Sequence, residues 1–309
     1  MASSLKEIRI LRDIKSFIKS DLNDHGIFCS IDESNIDTIK ALIIGPKKTP
    51  YENGFYFFEI MFPNDYPYNP PKVKFMTLNS EVRFNPNLYT DGKVCLSILG
   101  TWHGPGWSSA LTLNSVLLSI QSLLNENPIQ NEPGYENEVG SKSKNYNKLI
   151  EYYNIKVATI DMIKKPPYGY EDFKETMNKH FLENIEFYKK YIEKNKKNNN
   201  NVVHSPTYGM NAKLNIEGLN ETINDLYKTL NINSDNNENH SNTFQNKNQN
   251  QNSSDTNKSK MKTKKCPNEK ANLYDIGFIK KSENDDNNYI VIQASGSKRT
   301  FKKWKIYKD

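Results

Sequence analysis

The sequence predicts an α+β domain: one helix, a four-stranded antiparallel meander sheet, a long irregular loop, and then further helices. Three observations carry that prediction. An amphipathic segment opens the chain. Four apolar runs follow, separated by short connections rich in Gly, Pro and Asn. After a stretch with no period, apolar residues recur at i, i+3, i+4 and i+7.

The first helix starts at Ser4-Leu5-Lys6-Glu7, which reads as a capping box. Leu5, Ile8, Leu11, Ile14 and Ile18 are expected to form its apolar stripe. Lys6, Arg9, Arg12, Lys15 and Lys19 form a parallel basic stripe, either a solvated face or a docking surface for an acidic protein. Strands are expected over 27–31, 38–44, 54–62 and 72–77. The third carries Phe55, Phe57 and Met61 on one face against Tyr56, Phe58, Ile60 and Phe62 on the other, so it should be covered on both sides. From about Leu78 to Ala110 no regular period holds, and loops of that length are usually functional. Leu113, Val116, Leu117, Ile120, Leu123 and Leu124 then mark a helix that stops at Asn127-Pro128. Two more helices are expected over about 146–162 and 171–194, separated by Pro166-Pro167.

The chain has 309 residues, with 42 basic and 36 acidic side chains and a net charge of +6. That excess is too mild to mark a nucleic-acid-binding protein. Hydrophobic residues make up 36%, below the ~45–50% apolar content of ordinary globular domains, and mean hydropathy is −0.80. Part of the chain is therefore expected to stay unpacked. The expected division is a core over 1–140, a helical extension over 141–194, and a linker with a short helix over 195–230. An Asn-rich disordered segment over 231–270 and a tail over 271–309 follow, the tail folded as a small hairpin or used for docking. No run approaches the ~20 apolar residues of a membrane span, and the first thirty residues lack a signal-peptide core. Membrane and nucleic acid are thus not expected as partners, and a cytoplasmic or nuclear location is. The three cysteines, Cys29, Cys95 and Cys266, are odd in number and far apart, which excludes a disulfide framework. The histidines lack metal-site spacing, so neither a metal nor another cofactor is expected.

Cys95 lies just beyond the Asp91-Gly92 bend, inside irregular backbone, where a structural Cys is unusual. No His neighbours it in sequence. A nucleophilic Cys without a Cys–His pair suits thioester exchange, which is nearly isoenergetic and needs mainly a partly deprotonated thiol in close alignment. Asn87 offers an amide donor for a tetrahedral oxyanion, or else pins the loop locally. Lys93 is either surface charge or a field that lowers the thiol pKa. Residue chemistry alone leaves these alternatives open.

Taken together, Phe62-Pro63-x-x-Tyr66-Pro67-x-x-Pro70-Pro71-x-Val73-x-Phe75, Asn85-Pro86-Asn87, Gly92-Lys93-Val94-Cys95-Leu96, Trp107-Ser108 and the 113–124 helix resemble the catalytic fold of ubiquitin-conjugating enzymes. The resemblance covers about residues 5–135. It implies that Cys95 accepts ubiquitin, or a ubiquitin-like modifier, as a thioester, which a substrate lysine then attacks. It makes Asn87 the oxyanion or loop-ordering group. Glu132 falls near the acidic residue that orients or desolvates the lysine. Phe62, Pro63 and Ser109 fall on ligase-contact loops, with Ser109 replacing the usual Pro. Leu118 and Ser122 fall where the donor ubiquitin is held. Lys6, Arg9 and Arg12 fall on the face used by the activating enzyme, whose ATP is the only small molecule the pathway spends. RING- or HECT-type ligases are the other implied partners.

The Gly100–Gly106 insert, Asn85 in place of the usual His, and the 126–136 stretch are similar to Z-type members and to the conjugating domains of giant hybrid ligases. Residues 152–162 and 181–188 extend that similarity to about residue 192. Trp102 is expected to pack within the insert, although Trp102 and His103 also read as a ligand-facing patch. The competing class is a non-catalytic ubiquitin-binding scaffold. The retained Cys95 and Asn87 argue against it.

Overall fold

The computed structural model describes residues 4–32 and 34–245, together with strands within 279–306; side chains are described up to residue 232. Residues Met1–Ser241 form one compact unit and Asn242–Asp309 another. The first contains α1 (Leu5–Ile18), β1 (Ile27–Ile31), β2 (Thr38–Ile44), β3 (Phe55–Met61) and β4 (Lys72–Phe75). Helix α2 (Leu113–Leu123) follows the irregular loop. α3 (Ser141–Tyr153) then runs through a π-helical stretch, Asn154–Asp161, into α4 (Met162–Lys164). α5 (Lys174–Glu183), α6 (Ile185–Asn195), β5 (Val202–His204), β6 (Asn211–Lys213) and α7 (Ile216–Gln245) complete the order. The second unit carries an antiparallel sheet of β7 (Ile279–Lys281), β8 (Asn288–Ser295) and β9 (Thr300–Ile306). The tail, expected to be a small hairpin or a docking segment, holds these three strands.

Strands β1-β2-β3-β4 form the expected antiparallel meander, with Leu42 facing Phe57 and Phe58 facing Phe75. Every residue from Phe55 to Phe58 in β3 is fully buried. Side chains alternate across a strand, so β3 serves two layers. Tyr56 meets Phe84 edge-on at 5.4 Å, toward the loop. Phe57 meets Tyr170 and Phe173 at 5.2 and 5.8 Å, and Phe55 meets His180 at 5.9 Å. The C-terminal helices therefore cover the other face of the sheet, and two cross-links reinforce the cover. Lys40 donates to the Gly169 carbonyl at 2.6 Å, and Ser30 to Asp172 at 2.8 Å. Gly54 is required by close approach, since a Cβ there would lie 1.8 Å from Asn154 Oδ1. That same oxygen accepts from the buried Tyr56 hydroxyl at 2.6 Å.

The capping box of α1 forms as expected, with Glu7 N donating to Ser4 Oγ at 3.2 Å and Ser4 N to the Glu7 carboxylate at 2.9 Å. Its apolar stripe does not. The buried face is Ile10, Asp13, Ile14 and Phe17, while Leu5, Ile8 and Leu11 are exposed. Steps of three residues lag about 60° each round a helix. The 5-8-11-14 series therefore winds across the helix and puts Leu5 opposite Ile14.

Other expectations shift as well. The helix expected over 171–194 breaks at Asn184 into α5 and α6. The segment expected to be a linker contains the β5–β6 hairpin. Helix α7 continues past Leu230 into the segment expected to be disordered, as no Gly or Pro interrupts the chain between Gly218 and Gln245. The rest of that segment, and Cys266, lie outside the described residues.

Asp13 is buried, and its carboxylate is fully engaged. Arg9 Nε donates to Oδ1 at 3.0 Å, and the Tyr66 hydroxyl donates to Oδ2. The same guanidinium donates to the carbonyls of Ser109 and Leu111 and lies 5.5 Å from the Tyr66 ring centre. Burial, and then the bond to Asp13, push the Tyr66 phenol well above its ordinary range. Arg9→Ala would leave a buried carboxylate without its cation and two carbonyls without donors. Denaturant unfolding should report a loss of about 3–5 kcal/mol.

His180 is held at Nε2, 2.9 Å from Asn53 Oδ1, and burial pulls its pKa below the ordinary 6.5. The fold therefore favours the neutral ring, and the unfolded chain takes up a proton first. The resulting stability is complete above about pH 6.5 and is lost as pH falls through the unfolded and then the folded pKa. The melting temperature should drop on acidification from about pH 7 to about pH 5, and His180→Gln should flatten that slope.

Candidate active site

The loop between β4 and α2 has almost no regular structure, so side chains satisfy its backbone. Its regular features are three bridges, Lys74 to Lys93, Asn85 to Leu88 and Leu88 to Val94, and one 3-10 turn, Ser97–Leu99. The tight bend at Asp91-Gly92 places Gly92 at φ 93, where a Cβ would sit 2.9 Å from the Phe75 carbonyl oxygen. Asp91 Oδ1 accepts from Lys93 N at 2.9 Å and closes the bend. Beyond Cys95, the Thr101 hydroxyl donates to Val94 O at 2.8 Å and accepts from Leu96 N at 3.0 Å. The inserted residues thereby hold the backbone on both sides of the thiol.

Asn85 is the centre of this web. It is fully buried. Its Nδ2 donates to Tyr51 Oη at 2.9 Å and to the Leu123 carbonyl at the end of α2 at 2.7 Å. Its Oδ1 accepts from Asn87 N at 2.9 Å and from Asn131 Nδ2 at 3.3 Å. The Tyr51 hydroxyl passes its own proton to Phe84 O at 2.7 Å.

Cys95 and Asn87 are brought together by two bonds. Cys95 N donates to Asn87 O at 2.9 Å, and Asn87 Nδ2 donates to Cys95 O at 2.8 Å. Asn87 Oδ1 is buried without a hydrogen-bond partner. The amide is thus oriented by its N–H side alone. Both residues line a groove of about 340 Å³ shared with Ser97, Trp102, Leu123, Asn131, Glu132 and Glu136. Cys95 is 2% exposed, so the groove is the side from which it is approached. Glu132 is the third expected catalytic residue, and the fold brings it to the same groove. Its Oε2 accepts from the Tyr208 hydroxyl. Trp102, expected to pack within the insert, is instead 40% exposed and lines the groove. The insert is too short and too rich in Gly and Pro to enclose an indole. Lys93 is exposed, its ammonium 5.4 Å from the Tyr89 ring centre. Cys29, by contrast, sits half-buried in β1 opposite Ala41, where desolvation pushes its thiol pKa far up.

The remaining expected contacts separate into buried and exposed sets. Phe62 is buried against Tyr66, ring centres 4.7 Å apart; Pro63 is half-buried and Ser109 exposed. Trp107 Nε1 donates to Pro67 O at 2.7 Å, tying the two loops together. Leu118 and Ser122 both lie exposed, one turn apart on α2. Of the basic trio, Arg9 is committed inside the domain as described above. Lys6 pairs with Asp37 at 2.8 Å, and Arg12 is exposed. Sequence reasoning missed Tyr51, Arg83, Thr101 and Tyr208. Tyr51 and Tyr208 were each legible as a neighbour of turn residues, but their partners are far away along the chain.

Asn85→Ala would leave the Asn87 N–H unpaired in a buried site and remove one bond each from the Tyr51 hydroxyl and the Leu123 carbonyl, which keep Phe84 O and Asn131 Nδ2. One unpaired buried donor and two weakened partners predict a loss of about 2–3 kcal/mol, read as a fall in the thermal midpoint.

Residues 9–158 match the sequence profile of the ubiquitin-conjugating enzyme family. Ubiquitin-conjugating enzyme E2 Z of Xenopus tropicalis is 50% identical over 189 residues, which cover 60% of this chain and 60% of that protein. The Homo sapiens protein of the same name is 51% identical over 183 residues, covering 59% of this chain and 51% of its own length. The chain therefore spans about half to three fifths of these relatives. A solved Toxoplasma gondii ubiquitin conjugating enzyme domain is 30% identical and covers 49% of this chain and 98% of that one, with a TM-score of 0.38. The catalytic-loop motifs, the meander sheet, the family profile and the E2 Z relatives agree: the chain belongs to the ubiquitin-conjugating enzyme family and is of the Z type.

Proposed function

We propose that this chain carries ubiquitin, or a ubiquitin-like modifier, as a thioester on Cys95 and passes it to a lysine amine or a ligase. The observation that carries the reading is the shared groove. Cys95 and Asn87 reach it from the loop between β4 and α2, and Glu132 reaches it from the stretch after α2. In the loading step the Cys95 thiolate attacks the modifier's thioester carbonyl on the activating enzyme. A new C–S bond forms, and the activating enzyme's thiolate leaves. In the transfer step a lysine amine attacks the same carbonyl. The C–N bond forms, the C–S bond breaks, and the departing Cys95 thiolate balances the proton lost by the amine.

Asn87 supplies the amide donor for the oxyanion of the tetrahedral intermediate. Only one side-chain bond, to Cys95 O, must open for that amide to swing. Glu132 orients the amine. Arg12 and the exposed Leu5, Ile8 and Leu11 present α1 to the activating enzyme. Pro63 and Ser109, on loops joined through Arg9 and Trp107, present the ligase surface to RING- or HECT-type partners, with Phe62 as its buried support. Leu118 and Ser122 hold the donor modifier. No cofactor takes part, and the setting is cytoplasmic or nuclear. Among the described residues, no helix is long and apolar enough to cross a membrane.

The test is a gel without reductant after incubation with modifier, activating enzyme and ATP. A thiol-sensitive adduct should form and be absent in Cys95→Ala. Its absence from the folded wild type, with the main ubiquitin-activating enzyme and with an alternative one, would favour the non-catalytic ubiquitin-binding scaffold. Asn87→Ala should still load but discharge to lysine about 10²–10³-fold more slowly. An equal loss in loading would mean that Asn87 only pins the loop.

A further inference from the structure

Glu132 does not stand in the groove alone. The β5–β6 hairpin, far along the chain, reaches the same place through its tip. Tyr208 and Gly209 both take positive φ, 61° and 63°, and reverse the chain so that Ser205 N donates to Met210 O at 2.8 Å. For a tyrosine that backbone region is uncommon and carries strain, which persists only where the surroundings demand it. Here they do. The Tyr208 hydroxyl donates to Glu132 Oε2, and its ring lies 4.1 Å from the Arg83 guanidinium carbon. The other aromatic partner of Arg83 is Tyr89, at 3.7 Å, and its NH2 group donates to the Pro86 carbonyl. Pro86 immediately precedes Asn87. The hairpin itself is anchored: Met210 is buried, Arg83 N contacts its Sδ at 3.0 Å, and the Tyr153 hydroxyl donates to Asn211 O at 3.2 Å.

The geometry points to Tyr208 as a positioning residue of lysine transfer: through one hydrogen bond it fixes the rotamer of Glu132, and through Arg83 it couples the hairpin to the Asn87 loop. The inference rests on the conjugating reading above and adds to it a role for the extension beyond the catalytic core. A carboxylate that must meet an incoming amine gains from having one oxygen tethered, because the other then points in a defined direction. A neutral phenol suits the task. It donates without cancelling the carboxylate's charge, and burial keeps its proton on. Arg83 stacks on Tyr208, and Glu136 lines the groove beside Glu132.

Tyr208→Phe removes the hydroxyl and keeps the ring over Arg83. Loading of Cys95 is measured first. A wild type that forms no thioester overturns the conjugating reading itself. Given loading, single-turnover discharge of the thioester onto free lysine should be about tenfold slower in Tyr208→Phe. In a Glu132→Ala background the same substitution should cost nothing more. Equal discharge rates in the wild type and Tyr208→Phe would overturn the inference and leave the conjugating reading standing. So would an additional tenfold loss in the Glu132→Ala background, or a parallel loss of loading, since each assigns Tyr208 to general stability.

Discussion

The site depends on one buried amide. Asn85 lies in a loop with almost no helix or sheet, and a buried loop must find partners for every N–H and C=O it carries. A primary amide offers two donors and a carbonyl with two lone pairs. Asn85 uses both ends to join the turn before β3, the end of α2 and the turn that carries Asn131. The histidine expected at this position from the family pattern has two ring nitrogens and could not make all four bonds. The loop's conformation, and through Asn87 N the placement of the groove's amide donor, follow from that choice of side chain.

A second constraint acts at α1. Asp13 is a buried carboxylate, tolerable only because Arg9 and Tyr66 both donate to it. The arginine that neutralises it also binds the carbonyls of Ser109 and Leu111. One side chain of α1 thereby touches both the turn after Phe62-Pro63, at the Tyr66 ring, and the stretch after Trp107. The basic stripe of α1 divides accordingly, with Arg9 holding the fold and Arg12 facing outward. The C-terminal helices do comparable work on the sheet. They pack Tyr170, Phe173 and His180 on the second face of β3 and carry the chain on to the hairpin that reaches Glu132. The extension belongs to the same compact unit as the catalytic core.

Much of this was legible in residue order. The four strands and α2 fall where alternation and 3.6-residue spacing put them, because each buries one continuous apolar pattern. The both-faces pattern of β3 anticipated its two covers. Cys95 and Asn87 stood out through the Asp91-Gly92 bend and the motif order. The stripe of α1 was misread because a chain of i+3 steps looks periodic in sequence yet winds round the helix. The hairpin at 202–213 was missed because two three-residue strands with few large apolar side chains leave almost no periodic trace. Trp102 was assigned to packing by its size, whereas a short Gly- and Pro-rich insert cannot enclose it.

By itself the sequence determined the α+β class, the order of the main elements, the identity of the candidate nucleophile and the family. Each of those depends on local pattern: apolar period, capping residues, turn chemistry and motif spacing. Only the tertiary structure decided which side chains meet. The four-way role of Asn85, the inward commitment of Arg9 and the tether from Tyr208 to Glu132 all join residues distant in the chain. Such contacts are set by how the packed layers bring separate loops to one groove, and no local pattern encodes that geometry.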